Sequence, residues 1–179
     1  MSLNLTLRDF KDRVGLGTRA NRYKVIMNIP SGGRFGVEVA AATLPESELP
    51  AIPVAFRGRI LKIPGDRLYK PWTFTVYDSP YNIEVASKTG WKALHDWSNS
   101  INNHVSNITA WDPDNPNSGP GVADWEIHHY DLNGNDVLKK MKLWNCWPSS
   151  VGDVVLTAGG MDQLLTFQCT VEYEYFTYE

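Results

Sequence analysis

Apolar residues recur along this chain mostly with a period of two. From Asn21 to Ile29, Tyr23, Val25, Met27 and Ile29 fall on one side and Arg22, Lys24 and Asn28 on the other, the pattern of a half-buried strand. Ser31-Gly32-Gly33 predicts a turn, and Phe35 to Ala41 a second strand completing a hairpin. Trp72, Phe74 and Val76 alternate with Thr73, Thr75 and Tyr77 and predict another strand. Further on, Asp124 to Tyr130 and Val137 to Trp147 flank Asn133-Gly134, a strong hairpin signal, and Pro148-Ser149-Ser150 predicts a break. The longest alternation closes the chain. Leu165, Phe167, Cys169, Val171, Tyr173 and Tyr175 oppose Thr166, Gln168, Thr170, Glu172 and Glu174, which predicts one unbroken strand.

Helical spacing is confined to two stretches. Thr6 as a cap, with Leu7, Phe10 and Val14 on one face, predicts a short helix within an N-terminal arm over 1–20. Ile83, Ala86, Leu94, Trp97 and Ile101 predict a helix over 80–101, capped by Ser79, with Pro80 first and Gly90 weakening its middle. Residues 43–68 carry Pro45, Pro50, Pro53 and Pro64 among β-formers and predict an extended arm or long hairpin ending in a Gly65-Asp66 turn. A proline-marked connection of that length is usually functional. Residues 112–121 predict a flexible loop. The sum is one domain over 1–179, mainly β: an antiparallel β-sandwich or barrel with one packed α-helix and an extended arm.

Length and charge narrow the function classes. A chain of 179 residues can bury a core without metal or disulfide staples. Its 17 Lys and Arg against 20 Asp and Glu argue against a dedicated nucleic-acid binder, which needs a basic face. No apolar run approaches the ~20 residues of a membrane span. Met1 to Arg8 lacks the pattern of a signal peptide, so the expectation is a reducing cytosol with Cys146 and Cys169 as buried thiols. Seven Trp, eight Tyr and six Phe are more rings than a domain this size easily hides, which predicts some at an interface.

Candidate chemistry is sparse. His128 and His129 are adjacent on a predicted strand, point to opposite faces and cannot share a metal; His95 has Asn99 where a ligand would stand. Asp131 to Asp136 has the beginning of a calcium loop, but its glycine is fourth and Lys142 occupies the twelfth position. Gly15-Leu16-Gly17 lacks the third glycine of a dinucleotide site, and no nucleophile, phosphate-loop or zinc-protease motif occurs. The expectation is therefore no catalytic residue, no cofactor and no metal. What remains is surface. The closing strand has no proline or lysine to blunt an edge, and its periodicity suits an edge open to another chain and a central position equally.

At this point the sequence resembles the tail tube proteins of contractile-tailed, T4-like bacteriophages. The resemblance runs through Arg19-Ala20-Asn21-Arg22-Tyr23, Leu44-Pro45, the segment from Ile52 to Arg67, Pro71-Trp72-Thr73, Ile101-Asn102-Asn103-His104, Trp147-Pro148-Ser149 and the closing Val171, Tyr173 and Tyr175. The 112–121 loop reads as an insertion. The resemblance implies a structural virion protein, not an enzyme, whose subunits close into hexameric rings. Rings stack into a hollow tube inside a tail sheath, between a baseplate and a tail terminator. It also implies a tape-measure protein and then transiting DNA in the lumen, without sequence-specific binding, and assembly in the host bacterial cytoplasm.

Two sets of residues are expected to serve that role. Ile52, Val54 and Phe56 with Arg57, Arg59, Asp66 and Arg67 would form contacts between subunits or rings. Duplex DNA carries a charge about every 1.7 Å, so a conduit should be neutral or acidic, and Glu172 and Glu174 are expected to face it. The alternative is a carbohydrate-binding β-sandwich in which Trp72, Trp91, Trp111 or Trp125 stacks on sugar rings.

Overall fold

In a computed structural model, residues 6–8, 10–11, 17–30, 33–37, 39–79, 89–110, 121–157 and 163–179 are described. Twelve strands follow in chain order. They are β1 (Tyr23–Ile29), β2 (Gly33–Val37), β3 (Val39–Ala42), β4 (Ser47–Glu48), β5 (Ala51–Phe56), β6 (Arg59–Pro64), β7 (Leu68–Tyr69), β8 (Trp72–Tyr77), β9 (Ala123–Tyr130), β10 (Val137–Val151), β11 (Thr166–Glu172) and β12 (Tyr175–Tyr178). Among the described elements one helix, α1 (Gly90–Ile101), interrupts them. The mainly β, antiparallel architecture with a packed helix is as the alternation predicts.

The strands form two leaves around one core. The first runs β2-β1-β9-β10-β12 and the second β3-β8-β11-β10, every pair antiparallel. The 15-residue β10 belongs to both. Its first part pairs with β12 at Met141 to Trp144, and its second with β11 from Trp147 to Val151. Val25, Met27, Phe74, Val76, Trp125, Leu143, Phe167 and Val171 fill the space between the leaves. Ala93, Leu94 and Trp97 of α1 join this core, and Trp97 packs 5.9 Å from the ring of Trp125. Trp72, Trp97 and Trp125 are buried, so much of the aromatic content expected at an interface serves the interior instead.

Five boundaries differ from expectation. The strand expected over Phe35 to Ala41 is two strands, β2 against β1 in the first leaf and β3 against β8 in the second. The described helix begins at Gly90, capped by Thr89, whose Oγ1 accepts from the Lys92 N–H at 3.3 Å. Asp78 Oδ1 takes the Trp91 N–H at 3.2 Å. Gly90 is thus a first helical residue rather than a weak middle, and residues 80–88, with Ile83 and Ala86, lie outside the described residues. Pro148 does not end β10. It sits at a bulge between Pro148 and Ser150, on the outermost strand of the second leaf, where a missing donor costs little.

The closing strand is two strands. Its alternation slips at Glu174: Tyr173 is buried, Tyr175 is exposed and Phe176 is buried again. The cause is the junction of the leaves. Residues before the slip pair with the second part of β10, and residues after it with the first. Moreover β11 lies between β10 and β8, so it is central and not an open edge. Within the two leaves, the described margins without a second neighbour belong to β2, β3, β12 and the second part of β10.

The arm differs in one detail. β5 and β6 form a hairpin apart from both leaves, and its turn is Arg57-Gly58, not Gly65-Asp66. Arg57 and Gly58 have φ of 46° and 79°, the two positive values a two-residue type I′ turn requires. Gly65 closes the hairpin's foot instead. Its N–H donates to Pro50 O at 2.7 Å, and a Cβ there would stand 2.9 Å from that oxygen. Thr6 O accepts from the Phe10 N–H at 3.1 Å, a helical turn in the N-terminal arm. Most of the 112–121 loop, and the whole of Trp111, lie outside the described residues.

Candidate assembly interface

The arm is built on an anchored foot. β4 pairs with β7, Lys70 reaches Glu46 and stands 3.4 Å from Glu48, and Arg67 Nη1 donates to Ser47 Oγ at 2.7 Å. Tyr69 packs edge-on against Tyr173 and Phe176, and Tyr173 OH donates to Glu46 O at 3.5 Å. Above this foot every residue of β5 and β6 is exposed.

The register sorts the hairpin into two faces. Ile52 opposes Ile63, Val54 opposes Leu61 and Phe56 opposes Arg59 on one of them. The other carries Ala51, Pro53, Ala55, Ile60, Lys62 and Pro64. Of the residues expected at an interface, Ile52, Val54, Phe56 and Arg59 therefore share a face. Arg57 is at the tip, its guanidinium 5.4 Å from the Phe56 ring. Asp66 and Arg67 are not part of this face: they lie beyond the foot, where Arg67 is engaged by Ser47. Leu61 and Ile63 complete the apolar row, and their signal was the same alternation continued past Gly58.

The outward faces of the two leaves contrast in charge. On the second, Thr73, Thr75 and Tyr77 of β8 lie beside Gln168, Thr170 and Glu172 of β11, with Thr73 and Thr170 hydroxyls 3.0 Å apart. Glu172 is the one charged residue of β3, β8 and β11. The first leaf instead carries paired charges. Lys142 meets Asp124 at 3.0 Å, Lys140 meets Glu179 at 3.1 Å and Glu126 at 3.7 Å, and His128 meets Glu126 at 2.9 Å.

Glu172 and Glu174 also border a cavity of about 730 Å³, open where β9 stops short and β10 continues. Ile101, Val122 and Trp147 give it an apolar side, and Asn145, Glu172 and Glu174 a polar one. Asn145 occupies a bulge of β10 with φ of 55°, and its amide Nδ2 donates to the Glu174 carboxylate.

The remaining sequence candidates resolve into structure. His129 Nε2 lies 2.9 Å from Arg19 O, on the face opposite to His128. Asp131 Oδ1 accepts from the N–H groups of Gly134 and Asn135, which makes the calcium-like run a hairpin turn. Cys146 and Cys169 are buried and free. Burial pushes the Cys169 thiol from 9.0 up to about 12 and the Cys146 thiol higher still. Among the described residues no cluster of three His, Cys, Asp or Glu suits a metal ion, and no helix is long and apolar enough to cross a membrane. The sugar-stacking alternative loses three of its four platforms, Trp111 lying outside the described residues. Trp72 and Trp125 are core residues, and Trp91 is half-buried with its Nε1 donating to Gly152 O at 3.0 Å.

The fold is similar to that of chains from contractile injection systems. The chain superposes with a TM-score of 0.60 on a chain from the PVC extracellular contractile injection system sheath-tube complex in the extended state, at 16% identity, covering 94% of this chain and 96% of that one. A chain of the anti-feeding prophage tube-terminating cap gives a TM-score of 0.61 at 17% identity, covering 91% of each chain.

Sequence relatives carry the tail tube name. The tail tube protein of Serratia phage KSP90 is 28% identical over 182 positions, covering 94% of both chains. Tail tube protein gp19 of Enterobacteria phage T4 is 25% identical over 149 positions, covering 81% of this chain and 82% of its own. No family model matches the chain. The resemblance read from the sequence is thus borne out: the chain is similar, over most of its length, to structural tail tube proteins of contractile-tailed phages.

Proposed function

We propose that this chain is the subunit of a contractile-tail inner tube. Subunits close into hexameric rings, and rings stack into a hollow conduit through which DNA passes into the host cell. The observation that carries the reading is the arm. A lone two-stranded hairpin is marginal in water, yet this one holds Ile52, Val54, Phe56, Leu61 and Ile63 out to solvent. A neighbouring subunit supplies the cover. The open margins of β2, β3 and β12 offer further lateral contacts.

The outward face of the second leaf suits the conduit wall, because β3, β8 and β11 bring no Lys or Arg to it. Glu172 ends its hydroxyl row and Glu174 follows at its margin. The reading further places a tape-measure protein in the lumen before DNA. It places a tail sheath outside, a baseplate and a terminator at the ends, and assembly in the host cytoplasm. It needs no catalytic residue and no cofactor.

Negative-stain microscopy of the concentrated protein, with and without tube fragments as seeds, tests this. Rings or tubes of uniform bore are expected. A monodisperse monomer under every seeding condition would overturn it.

A further inference from the structure

We infer that the arm tip of one subunit docks in the Glu172–Glu174 cavity of the next copy, Phe56 entering the apolar side and Arg57 and Arg59 meeting the two carboxylates. This rests on the proposed tube and names where its arm binds.

Charge and shape argue for the pairing. From Ala51 to Pro64 the hairpin carries Arg57, Arg59 and Lys62 and no acidic residue. Among the described residues the cavity is lined by two carboxylates and by no Lys, Arg or His. Trp147, 40% exposed, and Ile101 and Val122 beside it offer a surface for a ring, and Phe56 is 65% exposed at the hairpin's end. A cavity of about 730 Å³ holds several side chains. A guanidinium paired with a carboxylate in such a partly desolvated site is a strong, directional contact.

Position argues that the acceptor is another copy. Tyr173 lines the cavity and also receives Tyr69 from the arm's foot, with ring centres 6.1 Å apart. Donor and acceptor therefore stand side by side on one subunit, while every residue of the hairpin between foot and tip is exposed. Six residues per strand extend about 20 Å, enough to reach across a subunit boundary. A surface pair of this kind, different on its two sides, builds head-to-tail arrays and not closed two-fold dimers. The docked guanidinium groups would be neutralised at the edge of the conduit wall, leaving no bare cation to hold DNA.

Charge reversal tests the inference. R57E/R59E and E172R/E174R are prepared as separate chains and as one combined chain, each checked for a folded monomer by circular dichroism. Each reversal alone is expected to raise the concentration needed for tubes by roughly tenfold or more. Equimolar mixing of the two defective chains, and the combined chain alone, are expected to restore assembly, because every tip then finds a cavity of opposite sign. Wild-type assembly from reversed chains, or inert mixtures, would overturn the docking site while leaving the tube intact. A wild type that forms no tubes would instead sink the tube itself.

A second readout does not depend on charge. Arg57→Cys with Asn102→Cys in one chain should give covalently joined ladders when assembled protein is oxidised, with Cys146 and Cys169 buried and silent. A disulfide closing within one chain, or none in assembled tubes, would overturn the inference.

Discussion

Asn145 and Glu174 meet at the corner where the two leaves join, the amide of one donating to the carboxylate of the other. Glu174 N–H also donates to Trp144 O at 3.0 Å, so the slip in the closing alternation and the bulge in β10 are one feature seen from two strands. Asn is among the few side chains that accept the positive φ found there.

A β-branched residue at that corner should be costly. Asn145→Val is expected to destabilise the monomer by about 1–3 kcal/mol, from backbone strain and the lost amide contact. Asn145→Gly keeps the backbone and should lose less than the valine variant. Urea midpoints of the two variants against wild type decide the order.

The arm's apolar row should matter for assembly and not for folding. Ile52→Asp with Leu61→Asp changes two exposed positions, so monomer stability should move by no more than about 0.5 kcal/mol for each. Tube yield in a pelleting assay should collapse. A drop in melting temperature without loss of tubes would reverse the interpretation.

Trp125 should prove structural. It is buried at 0% exposure against Trp72, Phe74 and Trp97, and its Nε1 donates to Asn28 O at 3.0 Å. Trp125→Ala should cost about 3–5 kcal/mol in chemical denaturation. A folded variant of unchanged stability would contradict this packing.

The buried thiols set an alkaline limit. Cys169 titrates near 12 when folded against 9.0 when exposed, so the unfolded chain releases its proton first. The contribution is present in full below pH 9 and is lost as pH rises from about 9 towards 12. Neither thiol should react with iodoacetamide at pH 8 in the native protein, whereas both should in denaturant, as mass spectrometry would reveal.

Placing cations on the proposed conduit wall should create friction. Tubes of Thr75→Lys with Gln168→Lys are expected to retain duplex DNA at low salt and release it as salt rises, whereas wild-type tubes retain none. Equal retention by both in a filter assay would move the wall to the other leaf.

Much of this was legible in the sequence because alternation reports burial directly. β1 and β8 appear with their buried positions as predicted, Val25, Met27, Phe74 and Val76, and β9 appears as the strand expected, with Trp125 and Ile127 as its buried side chains. The arm was legible through its prolines, and its apolar anchors through the same period. What the pattern missed were the corners. Pro148 reads as a stop, yet a bulge absorbs it; Tyr173 and Tyr175 read as one face, yet a change of partner strand separates them. Pairing partners are long-range facts, and local periodicity carries no record of them. The cavity was invisible for the same reason, since Ile101, Val122 and Glu172 converge only after folding.

The shared strand has a mechanical meaning. Fifteen residues of β10 span about 50 Å of extended backbone and run unbroken through both layers. Layers that met only through side chains could slide over one another when pushed along the axis. Here the same covalent thread is woven into each, so a thrust on one layer loads the other at once, as in a laminate stitched through its thickness.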